Sequence, residues 1–152
     1  MKTIFAGLIA AIFVFSFSSS SFAGDQGTMA EAKAMVEKAT AYIKTHGKEK
    51  AFAEFNNLKG QFTSKDLYIF AGDFNGVMFA HGGNNKLVGK DLSEMQDADG
   101  KFMVKGLMDV AKRGGGWFDY KWSNPQIKKI QDKTSYVVKI DDGLWIGCGV
   151  YK

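Results

Sequence analysis

The residues of this chain that could recognise a small molecule begin with a run of alternating aromatic side chains. In an extended strand alternate residues share a face, so Phe118, Tyr120 and Trp122 point to one side and Trp117 to the other. Phe118 is interpreted as a core residue. Tyr120 differs from it because a buried phenol hydroxyl needs a hydrogen-bond partner, which a ligand carboxylate would supply.

Lys133 and Tyr136 stand at the start of the next predicted strand, where they could bind an anion. An ammonium at the mouth of an apolar pocket would neutralise a carboxylate, and a tyrosine would donate a hydrogen bond to it. The alternative is an exposed lysine at a strand end, which composition alone favours. His81 closes an earlier predicted strand beside a glycine loop, a position suited to ligand contact, although a lone histidine is more often structural.

The sequence does not contain the residue patterns that metal binding, haem attachment or the common catalytic motifs require. The acids of Asp97-Ala98-Asp99-Gly100 resemble the start of a calcium loop, but Met108 stands where an EF-hand requires glutamate, and capping of the next helix explains the acids. The two histidines, His46 and His81, cannot form a three-histidine zinc site. No haem-attachment, nucleophile-elbow or phosphate-loop motif is present. We therefore expect no metal, no cofactor and no enzymatic activity.

The charge pattern argues against nucleic acid as a partner. The formal net charge is +4, but the lysines are dispersed among acids, as on a solvated surface. The one cysteine, Cys148, excludes an internal disulfide, so it is interpreted as a buried thiol, with an intermolecular bridge as the alternative.

The N-terminal residues have the form of a secretory signal peptide. Lys2 precedes an apolar run over residues 4–17, and Ser21-Phe22-Ala23 has the small residues of a cleavage site. Residues 1–23 are thus predicted to be a signal peptide, and residues 24–152 a single periplasmic domain without a transmembrane segment. An uncleaved membrane anchor is the alternative.

The remaining patterns predict an α+β fold. Thr28 and Glu31 form a capping box that begins an amphipathic helix ending before Gly47, and a second short helix is expected over residues 48–57. About five antiparallel strands are expected from β-rich runs separated by turn residues, with a short helix over residues 102–111. The predicted strands are residues 67–70, 77–80, 117–122, 134–140 and 144–151.

This order of helix, hairpin, loop with a short helix and three-strand meander is typical of a PAS-like fold. Eight segments resemble, in order, the single Cache family of the second type, and the resemblance extends from the first predicted helix to the C-terminus. These segments are residues 66–70, 73–76, 80–81, 87–92, 97–100, 115–122, 133–137 and 147–151.

The resemblance implies a sensor domain that lies outside the membrane and binds a small organic acid in a pocket over the sheet. Acetate, propionate, pyruvate and lactate are the expected ligands, and a membrane receptor or sensor kinase is the expected partner. Lys133 and Tyr136 match the family's Lys-x-x-Tyr element, and the implied ligand-binding residues are His81, Trp117, Tyr120, Lys133 and Tyr136.

The sequence departs from the family pattern in two respects. Gly82 follows the histidine where family members often have proline, and no output domain follows the predicted sensor fold before Lys152.

Two functions therefore stay open, a ligand-binding module and a ligand-free protein-interaction domain. A homodimer through the N-terminal helix is a further expectation. A pocket covered by the segment over residues 86–107 would favour the first function, and a filled core would favour the second.

Overall fold

The computed structural model describes residues 25–152, so the predicted signal peptide lies outside the described residues. The first helix, α1, spans Met29–His46, and α2 spans Lys48–Phe55. A short helix, α3, spans Met103–Lys112, and a single 3-10 turn spans Asn85–Leu87. The strands are β1 Thr63–Ser64, β2 Leu67–Gly72, β3 Met78–His81, β4 Gly116–Asn124, β5 Lys129–Asp141 and β6 Leu144–Tyr151.

The strands form one antiparallel sheet of six strands in the order β1-β2-β6-β5-β4, with β3 also paired to β2. The C-terminal strand β6 therefore lies at the centre, between β2 and β5. The predicted α+β, PAS-like fold is confirmed. The expectation of about five strands missed only β1, which is two residues long.

The helix α1 begins where the capping box predicts. The Thr28 hydroxyl accepts the Glu31 amide, and the Glu31 carboxylate accepts the Thr28 amide, so two free helix-end donors are satisfied. Lys65 also donates to Glu31 at 2.7 Å, and these hydrogen bonds, that of Lys65 foremost, lower the pKa of Glu31 to about 2. The buried face of α1 packs on the sheet through Ala32, Val36, Ala39 and Ile43.

Different helices pack against the two faces of the sheet. On β6, Leu144, Ile146 and Cys148 point to the face that α1 and α2 cover. Trp145 and Tyr151 point to the opposite face, which α3 and the loop before it cover. The two faces are called here the α1 face and the α3 face. Because one strand supplies both, the parity of a residue's position decides which core it joins.

Several local expectations need correction. The helix α2 ends at Phe55 rather than at residue 57. Asn75-Gly76 does not form a two-residue hairpin, because β2 continues to Gly72 and β3 begins only at Met78. The wider turn is instead closed by the Asp73 carboxylate, which accepts the amides of Asn75 and Val77.

The acids before α3 also have a role that differs from the expected helix cap. The N-cap residue of α3 is Phe102, which makes no side-chain capping bond. Asp97 accepts the amides of Asp99 and Lys101 within its own loop, and the amide of Lys121 on β4 at 2.9 Å. This carboxylate therefore fastens the loop to the open edge of the sheet.

Candidate ligand-binding site

Lys133 lies in the interior of the protein, not at an exposed strand end. It is 1% exposed and faces the α3 side of the sheet, with Tyr120 on β4 and Tyr151 on β6 as its register partners. Its Nζ donates to the Tyr68 hydroxyl at 2.7 Å and to the Tyr151 hydroxyl at 3.3 Å. The interpretation as a surface lysine is therefore wrong.

The groups in contact with the Lys133 ammonium are neutral, and the charge of the buried Asp66 carboxylate acts on it only from a distance. None of the ion pairs found among residues 25–152 includes Lys133. Its Nζ lies 4.2 Å from the ring centroid of Tyr68 and 4.5 Å from that of Tyr151, close enough for cation–π attraction. Burial penalises the ammonium and lowers the pKa of Lys133 to about 7.

The two tyrosines that hold Lys133 form a directed chain of hydrogen bonds. The Tyr151 hydroxyl donates to the Ser123 carbonyl at 2.8 Å, so its oxygen is free to accept from Tyr68 at 3.1 Å. Tyr68 in turn accepts from the ammonium of Lys133. Burial raises the pKa of both tyrosines above their ordinary value, so both are neutral donors at neutral pH.

His81 and Tyr120 add two more polar groups to this face. The Nδ1 atom of His81 accepts the Asn84 amide at 2.9 Å, so the proton of the neutral ring is on Nε2. Burial, together with the charge of Lys133, lowers the pKa of His81 to about 3. The Tyr120 hydroxyl is within 2.9 Å of the Ser135 hydroxyl, and burial raises its pKa.

A small cavity lies beside these groups, between the sheet and α3. Its volume is about 20 Å³, which is room for about one water molecule. Lys133 does not line it, but its Nζ lies 5.8 Å from the ring centroid of Phe70, which does. The lining residues are Phe70, Met78, His81, Leu92, Met103, Val104, Leu107, Tyr120, Trp122 and Trp145.

Two glycines of β6 make room for the Lys133 side chain and its neighbours. A Cβ atom on Gly149 would lie 2.1 Å from Ser135 Oγ and 2.4 Å from Lys133 Cε. A Cβ atom on Gly147 would lie 2.7 Å from the Phe70 ring. Alternate glycines on the central strand therefore leave a trough on the α3 face, across which Lys133 reaches from β5 to Tyr68 on β2.

Trp117 and Tyr136, both predicted to line the ligand pocket, lie on the α1 face. They are register partners on β4 and β5, their ring centroids are 5.3 Å apart, and both pack against the α1 cluster. The physical reason is strand parity: Lys133 and Tyr136 are an odd number of residues apart, so a regular strand directs them to opposite faces. The structure brings His81, Tyr120 and Lys133 to one face and separates them from Trp117 and Tyr136.

Comparison with known proteins identifies the family of the chain. The family model for single Cache domain 2 matches residues 15–152. The chain belongs to this Cache family. It is 38% identical over 88 residues to the sensor histidine kinase MctS of Rhizobium johnstonii, a match that covers 57% of this chain and 19% of that protein. The chain therefore spans about a fifth of the length of this curated relative.

Solved Cache structures share the fold. A methyl-accepting chemotaxis protein of Vibrio parahaemolyticus has a TM-score of 0.70 at 25% identity, with 80% of this chain and 86% of that chain covered. A Cache chemosensory domain, solved to explain carboxylic acid recognition, has a TM-score of 0.62 at 26% identity, with 80% and 86% covered. The protein is therefore a Cache sensor domain of the kind found in chemotaxis proteins and sensor kinases.

Within residues 25–152, none of the helices combines the length and hydropathy that a membrane span requires. In the same range, His, Cys, Asp and Glu side chains form no group of three or more that could hold a metal ion.

Three polar residues of the α3 face were not predicted from the sequence. They are Tyr68, Tyr151 and Ser135.

Proposed function

We propose that this Cache domain is periplasmic and binds a short organic carboxylate, and that a separate membrane receptor or sensor kinase reads the bound state. The observation that carries the proposal is the Lys133 ammonium, which is buried against hydroxyls and aromatic rings and has no carboxylate within ion-pair distance. A bound anion would supply the missing charge partner. The similarity to a Cache domain that recognises carboxylic acids supports the same ligand class.

The neighbours of Lys133 suit a carboxylate. One carboxylate oxygen would accept from the ammonium and the other from the hydroxyl of Tyr120 or Nε2–H of His81. Charge-assisted bonds of this kind are roughly twice as strong as neutral ones. The apolar remainder of the acid would lie against Met78, Leu92 and the other apolar residues of the cavity wall.

Binding requires the site to open. Even acetate is larger than the one water molecule that about 20 Å³ holds. Of the elements that line this cavity, α3 could move without breaking strand pairing, because it contacts the sheet only through side chains such as Val104 and Leu107. An outward shift of α3 on binding would give a partner protein a change to recognise.

The test is a comparison of binding affinities by calorimetry, with acetate, propionate, pyruvate and lactate as ligands and the exported protein as the parent. Lys133→Met should weaken binding by roughly tenfold to a hundredfold, because it removes one charge-assisted hydrogen bond. It should cost little stability, since replacing a buried charge with an apolar side chain is often neutral or stabilising. A ligand at 100 times its Kd should stabilise the parent by about 2.7 kcal/mol, which gives a second readout by thermal shift.

Two control variants make the result specific. Lys129→Met removes an exposed lysine four positions away on the same face of β5, and it should leave affinity unchanged. Tyr136→Phe alters the α1 face and should also leave affinity unchanged. If a carboxylate binds the parent and Lys133→Met with equal affinity, the proposed role of Lys133 is wrong.

A ligand-free protein-interaction domain is the second candidate function. The small cavity favours it, as does the fact that every buried side-chain nitrogen and oxygen in the described part of the chain already has a hydrogen-bond partner. Ile127 and Ile130, on the β4–β5 hairpin, are 50% and 63% exposed and would belong to such an interface. If no acid stabilises the parent in the thermal-shift series, this second function replaces the first.

A further inference from the structure

A second, larger space lies beside the inner cavity. This outer cleft has a volume of about 290 Å³ and opens between the loop before α3 and the end of β4. Its apolar lining includes Leu87, Met95 and Ile130, and Lys121 lies at its polar side. Met95 and Ile130 are 38% and 63% exposed, so the cleft is open to solvent.

Two side chains line both the inner cavity and the outer cleft. They are Trp122 on β4 and Met103 at the start of α3. The ring of Trp122 lies 6.0 Å from that of His81 and 6.4 Å from that of Tyr120, measured between centroids. Trp122 thus lies against two of the polar groups of the candidate site on one side and against the cleft on the other.

We propose that Trp122 and Met103 form a partition that limits the length of the carboxylate that this domain accepts. The inference rests on the proposed function. An acid whose carboxylate lies near Lys133 would extend into the inner cavity, and the indole of Trp122 would stop a longer chain from reaching the cleft. Removal of the indole would join a space of about 20 Å³ to one of about 290 Å³. The longer acid would then place its additional methylenes against Leu87 and Met95.

The experiment measures the Kd of straight-chain acids from acetate to hexanoate by calorimetry for the parent and for Trp122→Ala. The parent should bind acetate or propionate and bind pentanoate and hexanoate weakly. Trp122→Ala should bind the longer acids more tightly than the parent does, by on the order of tenfold, since each newly buried methylene contributes about a fourfold gain. Trp117→Ala removes a tryptophan from the α1 face of the same strand and should leave the order of preference unchanged.

Met103→Ala is a second variant that opens the partition from the helix side, and it should show a smaller gain for the same acids. The partition is refuted if either folded variant binds acetate or propionate as the parent does but gains nothing for pentanoate and hexanoate. A parent that prefers hexanoate to propionate also refutes it, while leaving carboxylate binding intact. A parent that binds none of the acids refutes the proposed function, and the partition with it.

Discussion

The buried ammonium of Lys133 links folding to pH in a range that surface lysines do not reach. An ordinary lysine has a pKa of 10.5, and burial lowers that of Lys133 to about 7. Between these values Lys133 is neutral in the folded protein and protonated in the unfolded chain. The unfolded state then binds more protons, so the free energy of unfolding rises with pH across this window.

We predict that the contribution of Lys133 to stability increases as pH rises from about 7 to 10.5. The difference in free energy of unfolding between the parent and Lys133→Met should change in favour of the parent, by at most about 1.4 kcal/mol per pH unit. Urea unfolding at several pH values measures it. Lys129→Met is the control, and its difference from the parent should stay flat.

The comparison with Lys133→Met also removes the effect of surface groups that titrate in the alkaline range. The Cys148 thiol does not cancel in this way, because burial raises its pKa to about 12 while the nearby charge of Lys133 lowers it. The change is therefore read between pH 7 and 9, below the ordinary thiol pKa of 9.0. A difference that does not change with pH would mean that Lys133 keeps its charge in the folded state. The two tyrosine rings at its Nζ would then balance the cost of burial.

At the level of elements, the helix α3 approaches the sheet closely because of a glycine in its second turn. A Cβ atom on Gly106 would lie 2.1 Å from the ring of Phe118 on β4. Glycine usually weakens a helix by about 1 kcal/mol relative to alanine. Here that cost is offset by contact between α3 and the strand that carries Tyr120 and Trp122.

We predict that Gly106→Ala destabilises the protein, although alanine is the better helix former. The overlap with Phe118 should cost about 1–3 kcal/mol, more than the propensity gain. Urea unfolding at neutral pH measures the change. Asp109→Ala, at an exposed position of the same helix, should stay within about 0.5 kcal/mol of the parent. A stabilised Gly106→Ala protein would show that α3 can move away from the sheet at little cost.

At the level of the whole molecule, the N-terminal residues lead to a prediction about export. We predict that the mature protein begins at or near Gly24, because residues 4–17 are apolar and residues 21–23 have the form of a cleavage site. Mass spectrometry of the exported protein measures the N-terminus directly. Recovery of a chain beginning at Met1 in the membrane fraction would instead support the uncleaved anchor.

The homodimer through α1 also stays a prediction. The helix buries Ala32, Val36, Ala39 and Ile43 on its own sheet. A dimer would therefore have to use the opposite side of α1, where Ala34, Glu37 and Ala41 are exposed.

The sequence by itself determined the order of most elements, and the alternation of residues along a strand determined which of them share a face. The apolar stripe of α1 follows from the helical repeat, and the first residue of the helix follows from the capping box. Both depend only on residues within a few positions of one another. The same local rule places Tyr120 with Phe118 and Trp122, and it also separates Lys133 from Tyr136. The error over Tyr136 and Trp117 came from following the family resemblance where strand parity already argued against it.

Only the tertiary structure decided which residues surround Lys133. Tyr68 on β2 and Tyr151 on β6 meet its ammonium because β6 lies between β2 and β5 in the sheet. Gly147 and Gly149 lie two positions apart on β6, so the sequence indicated that one face of this strand has no side chains there. It did not indicate which side chains from other strands fill that space. Strand order and register are set by the packing of the whole chain, whereas a periodic pattern reports only on neighbours along one strand.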